Sequence, residues 1–198
     1  MVWVDCEMTG LDLARDALIE VAALVTDSEL TVLGAGVNVV IKPPPGAVEQ
    51  MSEVVVAMHT ASGLLDRLDT GTTIAAAQEQ VLDYVRQFAP EPRRAPLAGN
   101  SVGTDRTFLE RDMRELVDHL HYRVVDVSSV KELTRRWFPK VYYASPEKTG
   151  GHRALGDIRD SIDELRYYRA TVFVPQPGPD TTASRAVAAE VGSSRTGV

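Results

Sequence analysis

Three apolar segments near the beginning of the chain have the pattern of β-strands. Residues 2–8, 18–26 and 30–41 are rich in valine, leucine and isoleucine, and the polar run 27–29 separates the second segment from the third. Because a turn this short joins antiparallel neighbours, we predict a three-stranded meander. The prolines at 43–45 end it, since proline lacks the N–H group that a strand ladder requires.

After residue 72 the apolar positions recur mainly at helical spacing, with short apolar runs between them. The predicted order is a helix over 74–88, a strand over 97–100, a helix over 104–120, a strand over 122–127, a helix over 129–137, a loop to 151 and a final helix over 153–171. Strands that alternate with helices are typical of parallel pairing. We therefore predict an α/β fold in which a mixed sheet, an antiparallel meander plus parallel strands, is flanked by helices.

Composition divides the chain into a folded part and a tail. With 198 residues and 44% apolar content there is material for one core-forming domain, which we place at residues 1–174. Residues 175–198 are rich in proline, glycine, threonine, serine and alanine, so we expect a disordered C-terminal tail there.

Charge and cysteine content exclude several classes of function. The 21 Lys and Arg residues against 28 Asp and Glu residues give a net charge of −7, which argues against binding of long nucleic acid through a broad basic surface. Cys6 is the only cysteine, so neither an internal disulfide nor a cysteine zinc site can form. No run approaches the roughly 20 apolar residues of a membrane span. No basic segment followed by an apolar run opens the chain, so we expect a cytoplasmic protein without membrane contact.

Two acidic residues lie two positions apart in the first predicted strand. Asp5 and Glu7 therefore project from the same face, whereas Val4 and Cys6 face the core on the opposite side. Neighbouring carboxylates repel each other unless a cation neutralises them. The pair predicts a site for Mg²⁺ or Mn²⁺, which prefer oxygen ligands; the alternative is a solvated edge strand.

Three further polar residues occur where predicted helices begin. Asp105 follows a strand and lies in the first turn of a helix, where ligands gather in α/β proteins; an ordinary helix-start acid is the alternative. His152 and Asp157 are five residues apart and would not share a helix face, but Gly150 and Gly151 allow His152 to lie at the helix mouth. The helix dipole would keep its imidazole neutral there; the alternative is a surface histidine and an exposed acid.

These five residues together suggest one reaction. The four carboxylates carry four negative charges, which two divalent cations balance. Two such ions can promote an in-line displacement at phosphorus, with His152 as the group that takes the proton from the attacking water.

Several segments carry a resemblance to a known family. They read WVDCEMTGLD (3–12), MHTASGLLDR (58–67), AGNSVGTDRTFLERDM (98–113) and HYRVVDVSSVKELTRRWFP (121–139), the last leading to HRALGDIRDSI (152–162). With these segments the chain resembles the oligoribonucleases, a branch of the DEDDh 3′-to-5′ exonucleases, which have the ribonuclease H-like fold. The resemblance implies that two Mg²⁺ or Mn²⁺ ions bind and that His152 is the general base. The implied metal ligands are Asp5, Glu7, Asp105 and Asp157.

The resemblance also assigns residues to the substrate. Leu11 matches an apolar wedge against a base, and Tyr122 matches an aromatic residue that stacks on the substrate across a homodimer interface. Ser101, Arg123 and Ser128 match positions that hold the substrate's 5′ phosphate. A turn residue, a solvated strand residue and a helix cap are the respective alternatives.

One position departs from the family pattern. Val54 stands where many members have tryptophan, and a stack of a base on an aromatic ring is worth about 1–3 kcal/mol, so we expect weaker base binding here. Four aromatic residues are candidates for the homodimer interface, with packing inside the domain as the alternative: Trp137, Phe138, Tyr142 and Tyr143.

The implied function is 3′-to-5′ hydrolysis of RNA dinucleotides and very short oligoribonucleotides to 5′-mononucleotides. One alternative is a DEDDh exonuclease that acts on longer DNA or RNA, which the acidic composition disfavours. Another is a non-catalytic dimer that binds short nucleotides, which the complete acid set disfavours.

Overall fold

The computed structural model describes residues 1–147, 151 and 153–193. Within them a five-stranded mixed sheet has the strand order β3-β2-β1-β4-β5. Its strands are β1 (Val2–Met8), β2 (Leu18–Thr26), β3 (Val32–Val40), β4 (Pro96–Gly99) and β5 (His121–Asp126). The first three are antiparallel, whereas β4 pairs in parallel with β1 and β5 in parallel with β4. The predicted meander followed by parallel strands is confirmed, with strand ends within two residues of the predicted ones.

Helices cover both faces of the sheet. They are α1 (Glu53–Ala61), α2 (Ile74–Phe88), α3 (Gly103–Asp112), α4 (Arg114–His119), α5 (Val127–Trp137), α6 (Pro139–Tyr143), α7 (Ala154–Thr171) and α8 (Thr181–Ser193), with a 3₁₀ helix at Leu65–Thr70. One core contains residues of α2, α3 and α4, such as Val81, Leu109 and Leu116. A second core, on the opposite face, contains Val127 of α5 and Ile158 of α7. The fold thus has three layers.

The single helix predicted over 104–120 is two helices. Met113 separates α3 from α4 with a non-helical backbone (φ −133°, ψ 54°), and its side chain is fully buried. The change of direction lets Leu109 of α3 and Leu116 of α4 reach the same core. An apolar stripe alone cannot show such a break, because both helices continue the same periodicity.

Two other helices differ from the predicted boundaries. α5 begins at Val127, before the predicted start at 129, because the carboxylate of Asp126 caps it by accepting the N–H of Ser128 at 2.8 Å. α6 lies within the segment predicted as a loop; it begins at Pro139, whose fixed φ angle suits the first helical turn.

Helix α8 lies in the C-terminal segment, where the composition predicts a disordered tail. None of the residues of α8 is buried, so this helix has no core contact to stabilise it. Alanines at its centre favour helix locally. The division of the chain at residue 174 stays a prediction. No helix in the part of the chain that the structure describes combines the length and apolar character of a membrane span.

The face of the sheet that α7 covers changes from apolar to acidic along β1. Trp3 is fully buried and belongs to the core shared with α7, and the next two residues on its face are Asp5 and Glu7. On the neighbouring strand Leu24 lies opposite Trp3, and Glu20 lies opposite Glu7. The carboxyl end of β1 therefore presents carboxylates toward the beginning of α7.

Candidate active site

Three carboxylates converge where β1 meets the first turn of α7. One oxygen from each of Asp5, Glu7 and Asp157 lies within 4.8 Å of the other two. The strand alternation places the first two side by side, and the packing of α7 on β1 brings in the third. The structure thus joins residues that are 152 positions apart, which the predicted site requires.

Asp105 lies beside this group and is fixed to β1. Its Oδ1 accepts the backbone N–H of Cys6 at 2.9 Å, between the two acidic positions of the strand. β4 pairs with β1 only at Val2 and Trp3, so α3, which follows β4, reaches the later part of β1. Asp105 is outside the group defined by 4.8 Å among the described residues, yet its charge raises the pKa of Asp5.

The carboxylates are mutually destabilised when ionised. Burial, followed by the charges of Asp105 and Glu7, raises the pKa of Asp5 to about 9. Burial, followed by the charge of Asp157, raises the pKa of Glu7 to about 8. Burial also raises the pKa of Asp105 to about 6, although the N–H of Cys6 works in the opposite direction. Crowded carboxylates prefer to share protons when no cation is present.

This donor set fits hard divalent cations. Among the described residues, the side chains that converge are all carboxylates, which suit Mg²⁺ and Mn²⁺ and offer no sulfur ligand for a softer metal. A cation would replace the shared protons and allow the acids to ionise together. The convergence of the carboxylates of Asp5, Glu7 and Asp157 is the observation that supports a metal site, and the raised pKa values of Asp5 and Glu7 agree with it.

A further acid on the same face escaped the sequence analysis. Glu20 is fully buried opposite Glu7, and its carboxylate accepts hydrogen bonds from the Arg153 guanidinium at 3.0 Å and the Asn38 amide at 2.9 Å. It also accepts the N–H of Ala154, the first residue of α7, at 3.3 Å. Glu20 therefore anchors the beginning of α7 to β2. A lone acid within the apolar run LIEVAALVT was the available signal.

His59 is a second residue whose position the sequence did not reveal. Its ring is fully buried, and Nε2 donates to the carbonyl of Met8 at 2.9 Å. Nδ1 lies 3.9 Å from Oε2 of Glu7 and has no hydrogen-bond partner among the described residues. His59 belongs to the quoted segment MHTASGLLDR, so the motif marked the residue but not its contact with an acid of the site.

The predicted general base, His152, lies outside the described residues. Its neighbours in the chain are described: Gly151 has a positive φ of 66°, which favours glycine, and Arg153 is held by Glu20. Arg153 also lowers the pKa of Glu7, against the larger effects that raise it.

Leu11 lies in the loop that follows β1, with its side chain exposed to solvent. The side chain is 76% exposed, as a residue that contacts a ligand's base must be in the free protein. Asp16 closes the loop by accepting the hydroxyl of Thr9 at 3.0 Å and the N–H of Asp12 at 2.8 Å. A Cβ atom on Gly10 would come within 2.4 Å of the Asp16 carboxylate, so this closure requires glycine.

The three residues predicted to hold the substrate's 5′ phosphate contact each other or Tyr122. The hydroxyls of Ser101 and Ser128 lie 2.9 Å apart, and Oδ1 of Asp126 accepts the backbone N–H groups of both, at 2.9 and 2.8 Å. The guanidinium of Arg123 lies 5.6 Å from the centre of the Tyr122 ring, which is 72% exposed on the edge strand β5.

The position that departs from the family pattern is exposed as well. Val54 lies in the first turn of α1 and is 78% exposed.

Of the four aromatic candidates for an interface, Trp137 is 66% and Tyr143 82% exposed, whereas Tyr142 is partly buried.

We predict that the folded protein, with divalent cations removed by a chelator, becomes less stable as the pH rises. The pKa of Asp5 is about 9 in the folded chain and 3.8 without the fold's influence, so folding takes up a proton between these values. That contribution is complete below about pH 4 and is lost as pH rises toward 9. The melting temperature in chelator should therefore decrease from pH 5 to pH 9, and Asp5→Asn, which stays neutral, should reduce the slope.

The matched control for this measurement is Asp163→Asn, since Asp163 is an exposed acid of α7 that pairs with Arg166. Equal slopes for the wild type and Asp5→Asn would contradict the crowding of charge at this site.

Comparison with known proteins identifies the family of the chain. The model of the RNase_T family, described as exonuclease, matches residues 2–165. An oligoribonuclease of Streptomyces griseus is 69% identical over 193 residues, which cover 98% of this chain and 96% of that protein. An oligoribonuclease of Cutibacterium acnes is 58% identical over 197 residues, which cover 100% of this chain and 98% of that protein.

Solved structures agree on the fold. E. coli exonuclease I in complex with a dA16 oligonucleotide matches with a TM-score of 0.66 at 17% identity, over 86% of this chain and 41% of that one. This chain thus spans about two fifths of exonuclease I, and the likeness identifies the fold as ribonuclease H-like. The acidic end of β1, the carboxylate that α7 adds to it and the near full-length relatives lead to one conclusion: the chain belongs to the oligoribonuclease family of exonucleases.

Proposed function

We propose that this protein is a cytoplasmic 3′-to-5′ exoribonuclease that hydrolyses RNA dinucleotides and very short oligoribonucleotides to 5′-mononucleotides. The observation that carries the proposal is the convergence of Asp5, Glu7 and Asp157 at the carboxyl end of β1, in a chain that is 69% identical to a protein named oligoribonuclease. A carboxylate cluster of this kind serves phosphoryl transfer through bound divalent cations.

Four side chains would hold two Mg²⁺ or Mn²⁺ ions: Asp5, Glu7, Asp105 and Asp157. When bound, such ions supply charge that lowers the pKa of water and stabilises a leaving oxygen. Asp105 would contribute from the side of α3, where the N–H of Cys6 already orients its carboxylate. Arg153 reduces the excess negative charge near Glu7 without occupying the carboxylate cluster.

The reaction forms one bond at phosphorus and breaks another. The oxygen of a water molecule attacks the phosphorus, the bond to the 3′ oxygen breaks, and that oxygen takes a proton from solvent water to become a 3′ hydroxyl. His152 would take the proton of the attacking water at a ring nitrogen. Its chain neighbour Arg153 donates to the buried Glu20.

Contacts with the bases and with the 5′ end of the substrate would account for a preference for short RNA. Leu11 and Tyr122 are both strongly exposed and would lie against the bases, while Ser101, Arg123 and Ser128 would hold the 5′ phosphate. A closed 5′ end excludes longer chains by steric conflict. Because a dinucleotide has few phosphates, a net charge of −7 is compatible with this substrate.

We predict that mononucleotide release is fastest from dinucleotides and declines with length over RNAs of two to ten residues. Chelator should stop the reaction, and Asp157→Asn should abolish it because one carboxylate of the metal site is lost. Asp163→Asn, which changes an exposed acid in the same helix, should keep the wild-type rate. Faster release from the longest RNA would favour the alternative of an exonuclease for long nucleic acid.

We predict that His152→Ala lowers the turnover number by roughly 10²–10⁴, the usual effect of losing a general base. Binding of Mg²⁺, followed by calorimetry, should stay unchanged because His152 is not among the proposed metal ligands. A rate equal to that of the wild type would remove His152 from the mechanism.

We further propose a homodimer in which Tyr122 reaches the partner's substrate. The exposed Tyr122 on edge strand β5 supports this arrangement, since an open sheet edge is a common site of association. Sedimentation should give twice the chain mass of 21.6 kDa. A species of only 21.6 kDa at assay concentration would contradict the proposal.

A further inference from the structure

The loop that joins β1 to β2, residues 9–17, has an ordered backbone although its outer part is exposed to solvent. At its base the N–H of Thr9 donates to the carbonyl of Ala17 at 2.9 Å. Further out, the carbonyl of Asp12 accepts the N–H of Asp16 at 2.8 Å, and the carboxylate of Asp16 accepts the N–H of Asp12. These bonds fix the shape of the loop, whereas contacts with other elements must fix where its exposed side chains lie.

An arginine of helix α3 connects this β1–β2 loop to the rest of the fold. Nη1 of the Arg111 guanidinium donates to the carbonyls of Leu13 and Asp16, the latter at 2.9 Å. The first of these carbonyls lies two residues after Leu11, whose side chain is strongly exposed. Arg111 therefore holds the part of the loop that immediately follows the proposed contact with a base.

The guanidinium is itself held on two sides. Its Nε and Nη2 donate to the two carboxylate oxygens of Asp112 at 2.8 and 2.6 Å, and it lies 4.9 Å from the centre of the fully buried Phe108 ring. A guanidinium has five N–H groups in one plane, and this arrangement uses four of them: one on Nε, one on Nη2 and two on Nη1. Lysine has a single ammonium group and cannot reproduce this planar set of contacts.

Asp112 is unfavourable for the helix in which it lies. It is the last residue of α3, and a negative charge is destabilising at a helix C-terminus. Its side chain is only 11% exposed, so the paired contact with Arg111 compensates the charge in place of water. The pair is therefore better explained by the orientation of the guanidinium than by the stability of the helix end.

The other end of α3 belongs to the carboxylate site. Asp105 lies in the first turn of this helix and accepts the N–H of Cys6 in β1. Arg111 follows six residues later, which corresponds to about 9 Å along the axis of a helix. Helix α3 thus extends from a proposed metal ligand to the loop that carries Leu11, and it sets the distance between them.

We propose that Arg111 is a positioning residue for Leu11, because it holds the β1–β2 loop at a fixed distance from the carboxylate site, and that Asp112 orients its guanidinium. The side chain that contacts the base is then in place before the substrate binds, so binding does not have to order the loop. This inference rests on the proposed function, in which Leu11 lies against a base of the substrate.

The test is a double-mutant cycle of Arg111→Met and Leu11→Ala, with KM and kcat measured on an RNA dinucleotide. Arg111→Met should raise KM roughly three- to tenfold, because the loop then occupies the competent position for only a fraction of the time. The value of kcat should stay near that of the wild type, since the proposed metal ligands are unchanged. Leu11→Ala should raise KM by itself, and adding Arg111→Met to it should cause no further rise, because no wedge is left to position.

A matched control is Arg166→Met in α7. Arg166 likewise pairs with an aspartate, Asp163 at 2.7 Å, and donates to a loop carbonyl, that of Leu30. Because this second loop joins β2 to β3, Arg166→Met should leave KM at the wild-type value.

Asp112→Asn carries the same test if Arg111→Met does not fold. It removes the charge that orients the guanidinium with little change in volume, and the loss of a negative charge at a helix C-terminus does not destabilise the helix. Asp112→Asn should raise KM by a smaller factor than Arg111→Met and should have no effect in the Leu11→Ala background.

The possible outcomes separate the inference from the proposed function. A rise in KM that disappears in the Leu11→Ala background, with Arg166→Met unchanged, supports the inference. An equal rise in both backgrounds, or a loss confined to kcat, would give Arg111 a role independent of Leu11 and overturn it. If Leu11→Ala raises KM and Arg111→Met does not, only this inference fails. If Leu11→Ala leaves KM unchanged, the assignment of Leu11 to the substrate in the proposed function fails with it.

Discussion

Repulsion between carboxylates at the carboxyl end of β1 is the constraint on which the site depends. Asp5, Glu7 and Asp157 converge there, and the nearby charges of Asp105 and Glu20 help to raise the pKa values of Asp5 and Glu7. Such a group survives in a folded chain only when the surroundings compensate it. Hydrogen bonds compensate two of these carboxylates. Glu20 accepts from the Arg153 guanidinium and from the N–H of the first residue of α7, and Asp105 accepts the N–H of Cys6. The remaining repulsion is what a divalent cation would relieve.

The same constraint explains the division of β1 into two halves. Its first half contributes Trp3 to the core beneath α7, where apolar burial fixes the distance between helix and sheet. Its second half has acids on that face, and Ile158 and Ile162 of α7 lie in the core beyond Asp157. Apolar packing along most of the helix thus forces the charged ends together, which charges alone would oppose.

Helix α7 also connects the two ends of the proposed substrate site. Its first turn carries Asp157, and the same face continues into Ser161 and Glu164. Through Asn100 this face reaches Ser128 and, in turn, Ser101. An enzyme that accepts only a few nucleotides needs a fixed separation between the reacting phosphorus and the far end of the substrate, and one rigid helix is a simple means of providing it.

Much of this arrangement follows from local sequence. Alternation along residues 2–8 placed Asp5 and Glu7 on one face without any knowledge of the partner strand, because the two-residue period of a strand is a property of the backbone. The apolar runs likewise located all five strands of the described sheet to within two residues. The motif segments predicted which residues contribute to the site, because members of a family share the residue types that bind metal and substrate.

Other features were decided only by the tertiary structure. The break at Met113 was invisible in the periodicity, because the point where one helix ends and the next begins depends on what is packed nearby. Three contacts join residues that are far apart in the chain: His59 with Glu7, Arg153 with the buried Glu20, and Asn100 with Glu164. Sequence alone determined which chemical groups this protein has and which strand face carries them. The distances between these groups and their charge partners were decided by the packing of the three layers. Electrostatic energies depend on separation and burial, and the order of residues does not give either quantity.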